Sequence, residues 1–286
     1  MKVSDIYRKG ERSLSFEIFP PKKDDELRNI DDTLDVLCEL KPDFISVTFG
    51  AGGSCNCNKT IELARKIKDK YKVEPVVHLT CLHYSRKEID EFARVLKDAG
   101  IENILALRGD MRDDIPKKED FTYASDLVSY LKENHDFCIL GACYPERHPE
   151  SDNNVDEIRH LKTKVNSGTE VVLSQLFFDN SLFYDFEEKC RIADIDVPII
   201  PGIMPVVKAA QIKRMISMCN ASFPERFQKI VDRYENNKEA LFDAGMAYAL
   251  SQIIDLLVSN TDGIHLYTMN NPQIARRICE GIKNIV

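Results

Sequence analysis

The chain lacks an excess of positive charge, and this absence limits what it can bind. It has 39 Lys and Arg residues against 47 Asp and Glu residues, for a formal net charge of −8. Nucleic acids and anionic membranes bind surfaces on which Lys and Arg are clustered, because those side chains displace counterions. The composition therefore argues against both kinds of partner.

Long apolar runs and paired cysteines are also missing. No stretch approaches the ~20 apolar residues that a membrane helix needs, and the opening residues, MKVSDIYRKGERS, lack the apolar centre of a signal peptide. The nine cysteines are scattered singly apart from Cys55 and Cys57, which is typical of reduced thiols rather than of a disulfide framework. We therefore expect a cytoplasmic protein with free thiols.

No linker rich in Pro, Gly or Ser divides the chain, so we expect one domain over residues 1–286. Eight short apolar runs alternate with amphipathic stretches, and the first seven begin roughly thirty residues apart, the length of a strand with its crossover helix. The runs begin at residues 13, 43, 74, 103, 138, 171, 198 and 263. Helices are predicted at 24–40, 58–70, 85–99, 122–134, 181–193, 239–259 and 272–284, with a further element at 223–235. This repeat predicts an α/β fold, a (β/α)8 TIM barrel, with a doubly wound open sheet as the alternative.

Alternation along the first four runs predicts a barrel with a polar interior. In the first run Phe16 and Ile18 share an apolar face that we expect to meet helices, so Glu17 points inward. The same reasoning assigns Leu105 and Leu107 of the fourth run to the outer face. Most inward residues approach the carboxyl ends of the strands, where barrel active sites are built. The inward set is Ser15, Glu17, Phe19, Ser46, Thr48, His78, Thr80, Ala106, Arg108 and Asp110.

Glu17 stands in an apolar run, SLSFEIFPP, where a buried and unpaired charge would cost on the order of several kcal/mol. Such a carboxyl belongs either to a functional pocket, where enclosure raises its pKa and lets it donate a proton, or to an ion pair. We predict the first arrangement. The alternative is an ion pair with Arg108 that plugs the barrel.

Three loops carry further candidates. FGAGGS lies between a strand and a helix, but a dinucleotide-binding G-x-G-x-x-G would need glycine where Cys55 stands, so the loop fits a close approach to a ligand or a tight turn equally. Tyr144, Glu146 and His148 follow the fifth run and suit either a loop that binds a phosphate or an aromatic ring, or an ordinary Pro-bounded loop. Gln175 ends the sixth run, where its amide suits either a heterocycle or a satisfied core position.

No metal site is predicted, although cysteine and histidine lie close together in two places. Cys55 and Cys57 share one loop without the spacing of zinc ligands. The second group, formed by His78, Cys81 and His83, lacks that spacing too. In addition, Cys81 falls on the opposite strand face from His78, so the two side chains point apart.

Nine motifs, taken in order and at their intervals, resemble the methylenetetrahydrofolate reductase family. They are SFEIFPPK, ISVTFGAGGS, PVVHLTC, ALRGD, YASDLV, YPERHPE, LKTKV, QLFFD and IIPGIMP, and the resemblance spans about residues 12–284. It implies a (β/α)8 barrel that holds FAD and takes a hydride from NAD(P)H. It further implies that the hydride passes to 5,10-methylenetetrahydrofolate, giving 5-methyltetrahydrofolate. Both substrates would use the same flavin face in turn, which gives ping-pong kinetics.

The resemblance also implies roles for individual residues. Glu17 matches the family's general acid, which assists opening of the folate's five-membered ring to the iminium that accepts hydride. Asp110 matches the acidic residue beside pterin and flavin, whose charge tunes the flavin and whose oxygens accept hydrogen bonds from the pterin. The matched flavin-contacting positions are Thr48, His78, Arg108, Gly109, Asp110, Tyr123, Ala124, Tyr144, His148 and Lys164. The matched folate-contacting positions are Asp110, Gln175 and Gln211.

Several positions depart from the family's pattern. Met215 stands where many bacterial members carry an aromatic residue that stacks on substrate, and Asn271 stands where an arginine is common. Glu157 and His160 stand where flavin contacts often include Asp and Asn, so neither is assigned a role. The chain ends just after the eighth βα unit, so we expect no regulatory C-terminal domain and no inhibition by S-adenosylmethionine through one.

Two other functions remain open from the sequence. One is another flavin barrel, such as a proline-dehydrogenase-like oxidoreductase, which its amine substrate rather than NAD(P)H would reduce. The other is a non-catalytic subunit of a one-carbon complex, suggested by the residues at 215 and 271. An absorbance spectrum, followed by anaerobic addition of NADH and then methylenetetrahydrofolate, separates these functions. We expect a homo-oligomer or a partner subunit, and NADH, NADPH and a protein electron donor all stay open.

Overall fold

The computed structural model of the protein describes residues 1–21, 27–49, 54–210, 212, 215, 219 and 221–285, with the side chains of all of these except 27–29 and 54–57. Within them strands and helices alternate along the chain, and the predicted (β/α)8 barrel in a single domain is confirmed. The strands are β1 (Ser13–Ile18), β2 (Phe44–Val47), β3 (Glu74–Thr80), β4 (Asn103–Leu107), β5 (Cys138–Cys143), β6 (Val171–Ser174), β7 (Ile199–Ile200), β8 (Gly202–Ile203) and β9 (Gly263–Tyr267). The helices are α1 (Ser4–Arg8), α2 (Leu27–Glu39), α3 (Ser54–Tyr71), α4 (Arg86–Asp98), α5 (Ala124–Asn134), α6 (Asn154–Asn166), α7 (Asn180–Ile192), α8 (Glu225–Tyr234), α9 (Lys238–Val258) and α10 (Pro272–Ile282).

The seventh strand of the barrel is broken at Pro201. All pairs are parallel, and the strand order across the described residues is β7-β6-β5-β4-β3-β2-β1-β9-β8. Because proline has no backbone N–H, it cannot donate to the ladder, whereas its carbonyl oxygen accepts from the His265 N–H at 3.0 Å. β7 and β8 are consecutive in the chain, so the sheet closes through this broken strand. The run predicted from residue 198 therefore corresponds to two short strands.

Strand alternation separates an outer apolar layer from the barrel interior. The outward predictions for the first three strands are confirmed, as Phe16 and Val77 illustrate, because both lie in the core between strands and helices. The prediction for β4 is wrong. Leu105 and Leu107 face the interior cluster, and Ala106 faces the helices. Both faces of a barrel strand are buried, so hydrophobicity alone does not identify the outer face of an entirely apolar strand.

Helix α1, which was not among the predicted helices, closes the amino end of the barrel. Val3 and Ile6 pack with Val76 in an interior apolar cluster. The Val3 N–H also donates to Oδ1 of Asn103, the first residue of β4, at 2.7 Å. Because this end is filled by apolar side chains, the polar interior positions such as Glu17 open toward the carboxyl end.

Helix α9 is long and apolar enough, by length and composition, to cross a membrane, and it is the one such helix among the described residues. From the sequence we expected no apolar stretch near that length, and α9 was therefore not considered as a membrane span. Its buried side chains include Met246, Ile253 and Leu256, which lie in the core between helices and sheet. A core helix of a folded domain has the same composition, so this helix is weak support for a membrane span.

Gly202, the first residue of β8, leaves room for Tyr267. A Cβ at position 202 would lie 2.3 Å from the Ser174 carbonyl oxygen and 2.8 Å from the Tyr267 hydroxyl oxygen. We expect Gly202→Ala to lower the free energy of unfolding by about 3 kcal/mol, because the backbone cannot yield as a side chain can. In the control Gly10→Ala the Cβ meets nothing within 4 Å and φ is +73°, so a loss of about 1 kcal/mol from backbone strain is expected. Urea denaturation measures both, and equal losses would contradict the steric explanation.

Candidate active site

Glu17 and His78 meet inside the barrel, near the carboxyl ends of β1 and β3. Oε2 of Glu17 lies 3.5 Å from Nε2 of His78, and the two side chains are 11% and 9% exposed. Burial raises the pKa of Glu17 to about 8 and lowers the pKa of His78 to about 3, because the interior disfavours both charged forms. At neutral pH the carboxyl therefore holds its proton and the imidazole is uncharged.

The polar groups nearer the amino end of the barrel contact one another. Nδ1 of His265 lies 2.8 Å from the Ser15 hydroxyl oxygen, and Nε2 lies 3.5 Å from that of Ser46. Burial lowers the pKa of His265 to about 3, so this ring is also uncharged at neutral pH. These residues form a neutral polar floor beneath Glu17.

Tyr267 stands opposite Glu17 in the register of β1 and β9, and its hydroxyl donates to the Ser174 carbonyl oxygen at 2.7 Å. It was not among the predicted site residues, although its place two residues after the inward His265 was a usable signal. Nε2 of His78, by contrast, has no hydrogen-bond partner among the described residues. The pair of Glu17 and His78 is therefore where the interior retains hydrogen-bonding capacity for a ligand.

The alternative interpretation of Glu17, an ion pair with Arg108, is wrong. Arg108 donates from Nη1 and Nη2 to the two carboxylate oxygens of Glu150, at 2.5 and 2.7 Å, and from Nε to the Gly109 carbonyl oxygen at 3.2 Å. The hydrogen bonds to Glu150 raise the pKa of Arg108. The Glu150 side chain is 58% exposed, so this ion pair lies at the rim of the site and not in the barrel interior.

A cavity of about 990 Å³ opens beside the carboxyl ends of β3 and β4. It continues between α3 and α4 along Ile61 and Phe92, and its described lining includes neither Glu17 nor His78. The predicted acid and the cavity are therefore adjacent regions rather than one chamber. Five of the predicted flavin positions line the cavity, namely Arg108, Gly109, Asp110, Tyr144 and His148.

Gly109 shapes the wall of this cavity. Its φ is +88°, in the left-handed region that favours glycine, and a Cβ there would lie 3.1 Å from Cβ of Thr80. The turn therefore brings the start of the β4–α5 loop against the end of β3. The exposed Asp110 follows directly, at the mouth of the cavity.

The loop after β5 is positioned by Glu157, a residue to which the sequence assigned no role. Its buried Oε2 accepts from the His148 N–H at 3.0 Å and from the Ser151 hydroxyl at 2.7 Å. The His148 ring packs edge-on against Tyr144, with ring centroids 4.8 Å apart. Glu157 thus fixes two side chains that line the cavity without lining it itself.

The other predicted flavin positions lie outside the cavity lining. Nζ of Lys164, on α6, donates to the Ala142 carbonyl oxygen at 2.6 Å, and burial lowers the pKa of this lysine. Tyr123 is 60% exposed and precedes α5, which begins at Ala124. Thr48 directly follows β2.

The folate positions are described only in part. Gln175 directly follows β6, and its Oε1 accepts from the Leu176 N–H at 2.9 Å. Gln211 lies outside the described residues, as do most of the FGAGGS loop and the side chains of Cys55 and Cys57. In the part of the chain that is described, no group of three or more His, Cys, Asp or Glu side chains could hold a metal ion.

Two of the residues that depart from the family's pattern, Asn271 and Met215, have structural contacts. Asn271 is the N-cap of α10, because its Oδ1 accepts from the Gln273 N–H at 3.1 Å. Met215 packs against an apolar cluster that includes Leu176 and Ala221. The side chain at 271 therefore stabilises the start of a helix, as Asn commonly does at this position.

The barrel, its buried acid and the adjoining cavity give a candidate active site at the carboxyl ends of the strands, where barrel enzymes carry theirs. The chain belongs to the methylenetetrahydrofolate reductase family, whose model matches residues 2–283. This membership confirms the resemblance drawn from the nine motifs. It also places the protein among oxidoreductases.

Named relatives agree over nearly the whole chain. The 5,10-methylenetetrahydrofolate reductase of Escherichia coli (strain K12) is 36% identical over 270 residues, covering 94% of this chain and 90% of the relative. Methylenetetrahydrofolate reductase (NADH) 1 of Arabidopsis thaliana is 32% identical over 284 residues, covering 94% of this chain but 48% of the relative. An uncharacterised protein from Clostridium thermocellum that binds two copies of 5-methyl-5,6,7,8-tetrahydrofolic acid superposes with a TM-score of 0.69 at 16% identity, covering 99% of this chain and 100% of that chain. At that identity the likeness supports the fold alone.

The raised pKa of Glu17 predicts how stability depends on pH. The folded state keeps a proton that the unfolded state releases, so this residue lowers the free energy of unfolding as pH rises from about 4.5 to about 8. His78 has the opposite effect below pH 6.5, because its pKa is lowered to about 3. We therefore expect Glu17→Gln to gain stability over wild type with rising pH, reaching a few kcal/mol near pH 8. Chemical denaturation at pH 5 and pH 8 measures this, with the exposed Glu133→Gln as control. A difference that does not change with pH would contradict the buried acid.

Proposed function

We propose that this protein reduces 5,10-methylenetetrahydrofolate to 5-methyltetrahydrofolate with NAD(P)H as electron donor, FAD as cofactor and ping-pong kinetics. Family membership supports the folate reduction and favours it over a proline-dehydrogenase-like reaction. The observation that carries the proposal is the burial of the Glu17 carboxyl beside His78, which raises the pKa of Glu17. A carboxyl whose pKa is about 8 remains a proton donor at neutral pH, as ring opening of the folate requires.

The residues at the carboxyl end of the barrel fit FAD. A cavity of about 990 Å³ is large enough for a cofactor site, and Arg108 and His148 on its lining supply donors suited to a pyrophosphate, whereas Lys164 lies outside that lining. The unpartnered Nε2 of His78 and the tight turn at Gly109 offer a polar atom and a close backbone approach to the flavin ring. Bound FAD would supply two-electron hydride chemistry between the nicotinamide and the folate.

Glu17 acts in this scheme as the general acid. Its proton passes to the nitrogen that leaves when the five-membered ring of the folate opens, and the iminium so formed accepts hydride. His78 supports this role because its imidazole is neutral. An imidazolium 3.5 Å away would stabilise the carboxylate and lower the pKa of Glu17, so that less of the acid would be protonated.

Substrate recognition falls to side chains around the acid. Asp110, at the mouth of the cavity, accepts hydrogen bonds from the pterin and lowers the reduction potential of the flavin by its charge. Oε1 of Gln175 is engaged by the Leu176 N–H, so the NH₂ group of that amide is the donor available to the pterin edge. Gln211 is proposed as a second folate contact.

Replacement of Glu17 by Gln tests the proposal by separating the two half-reactions. The amide keeps the size of the carboxyl but has no titratable proton, and only the folate half-reaction needs that proton. In anaerobic stopped-flow work, we expect flavin reduction by NADH to stay within about tenfold of wild type and reoxidation by methylenetetrahydrofolate to fall by roughly 10²–10⁴. Glu133→Gln should leave both rates unchanged.

Two results would count against this function. Purified protein without a flavin spectrum that also fails to bind added FAD would remove the cofactor from the proposal. Normal reoxidation in Glu17→Gln, or parallel loss of both half-reactions together with a lower melting temperature, would remove Glu17 as the acid.

Glu150 should control the affinity for FAD. Its carboxylate holds both terminal nitrogens of Arg108, so a pyrophosphate at Arg108 must displace it or lie beside its negative charge. We expect Glu150→Gln to lower the Kd of the apoprotein for FAD about tenfold. Fluorescence titration of FAD measures this, with Glu133→Gln as the matched control. A weaker affinity in Glu150→Gln would mean that Glu150 orients Arg108 for the cofactor instead of competing with it.

A further inference from the structure

The loop after β9 turns sharply beside the end of strand β1. The turn runs from Thr268 to Asn271, whose backbone N–H donates to the Thr268 carbonyl oxygen at 2.9 Å. Its two central residues, Met269 and Asn270, have φ values of +53° and +55°. Positive φ is unfavourable for residues other than glycine, although asparagine tolerates it better than most. Two such residues in succession persist only where the surrounding structure holds them.

The Asn270 side chain binds both backbone polar groups of Phe19. Its Oδ1 accepts from the Phe19 N–H at 2.8 Å, and its Nδ2 donates to the Phe19 carbonyl oxygen at 2.9 Å. These contacts fix which way the amide points, because a backbone N–H only donates and a carbonyl oxygen only accepts. An amide does not titrate, so this pair of bonds is the same at every pH.

The side chains of the turn continue the sheet past the point where its ladder ends. β1 and β9 pair as far as Glu17, which stands opposite Tyr267. Beyond that pair, the Thr268 hydroxyl donates to the Glu17 carbonyl oxygen at 2.8 Å, and Asn270 binds the two groups of Phe19. Side chains thus supply on this side of β1 the donors and the acceptor that a longer β9 would supply from its backbone.

Phe19 is the last residue of the first run that can donate a backbone hydrogen bond. Two prolines follow it, and proline has no backbone N–H. On the other side of β1, the Thr48 N–H donates to the Ile18 carbonyl oxygen at 3.0 Å. The backbone that carries Glu17 is therefore held from both sides, and Asn270 supplies the tie on the β9 side.

We propose that Asn270 is a positioning residue, which together with Thr268 fixes the backbone at residues 17–19 and so directs the Glu17 carboxyl. The acid role of Glu17 rests on the proposed function, whereas the bonds to the backbone do not. Oε2 of Glu17 lies 3.5 Å from Nε2 of His78, so a small shift of this backbone would change that contact and the approach of the acid to a folate. The left-handed turn is explained by the amide that it presents to β1.

Glycine at position 270 isolates the amide from the turn. Asn270→Gly removes the side chain, and glycine adopts positive φ readily, so the turn can keep its conformation. The matched control is Asn260→Gly. Asn260 is also left-handed, with φ of +66°, and its Oδ1 accepts from Nη2 of Arg12 at 2.6 Å in the loop before β9. The two variants make the same substitution at opposite ends of one strand.

Hydrogen exchange of the purified protein tests the tie without turnover. Peptides that share a first residue and end at residues 18 and 21 differ by the Phe19 amide alone, because Pro20 and Pro21 have no N–H. We expect this amide to exchange about tenfold faster in Asn270→Gly than in wild type, and at the wild-type rate in Asn260→Gly. An unchanged rate in Asn270→Gly would overturn the tie.

Anaerobic stopped-flow kinetics tests the consequence for the acid. In Asn270→Gly, flavin reduction by NADH should stay within a few-fold of wild type, whereas reoxidation by methylenetetrahydrofolate should fall roughly 10–100-fold, as for a misplaced group. Asn260→Gly should change neither rate. In a Glu17→Gln background, Asn270→Gly should slow reoxidation by less than about threefold more, because the acid that it directs is already absent.

Thr268→Val extends the test if Asn270→Gly has a lower melting temperature. This variant removes the hydroxyl that donates to the Glu17 carbonyl oxygen and keeps the shape of the side chain. We expect reoxidation to fall about tenfold with flavin reduction unaffected, and again little further loss in the Glu17→Gln background.

Two kinetic results would overturn the positioning role. Equal losses of reoxidation in the wild-type and Glu17→Gln backgrounds would mean that Asn270 acts independently of the acid. Parallel loss of both half-reactions would mean that it maintains the fold of the whole site. A wild-type enzyme without reductase activity would instead refute the proposed function and with it the acid, while the exchange rate of Phe19 would still decide whether Asn270 holds β1.

Discussion

The Glu17 carboxyl is buried in the barrel, and no Lys or Arg of the described residues forms an ion pair with it; the rest of the site is arranged around that fact. Among the described residues, His78 is the one basic side chain in contact with it, and burial keeps this imidazole neutral as well. Arg108, the cation that would have neutralised it, is held at the rim by Glu150. An acid that meets no positive charge keeps its proton, and that condition is costly to stability but useful for proton transfer.

The amino end of the barrel contributes apolar packing to stability, whereas the carboxyl end carries the candidate site. At the amino end, Val3 and Ile6 fill the barrel interior with apolar contacts. Both belong to α1, a helix that was not predicted from the sequence. Toward the carboxyl end the interior is polar, and Glu17 meets His78 there. The break at Pro201 adds to this asymmetry, because β8 then carries Gly202, and the missing side chain there makes room for Tyr267 opposite Glu17.

Local pattern in the sequence was enough for the barrel and for the inward direction of Glu17 and His78, because polar and apolar residues alternate in those strands. It was not enough for β4, where every residue near Leu105 is apolar and both faces are buried. Nor could it decide that Arg108 pairs with Glu150, since that contact joins loops 42 residues apart. Sequence resemblance supplied the predicted flavin positions, five of which line the cavity, but the anchoring of the loop by Glu157 depends on a buried carboxylate whose hydrogen-bond partners only the fold brings together.

Strand β3 connects the acid in the interior with the cavity outside it, as the proposed reaction requires. Inward side chains recur every second residue, so Val76 packs in the apolar end, His78 meets Glu17, and Thr80 lies against Gly109 at the cavity wall. The chain then continues to His83, which binds the carbonyl of Asp110. Because a strand within a closed sheet moves as a unit with its neighbours, the spacing between the acid and the cavity is set by the rise along this one strand. The proposed chemistry thus depends on the register of β3 with β4 as much as on the identity of any single side chain.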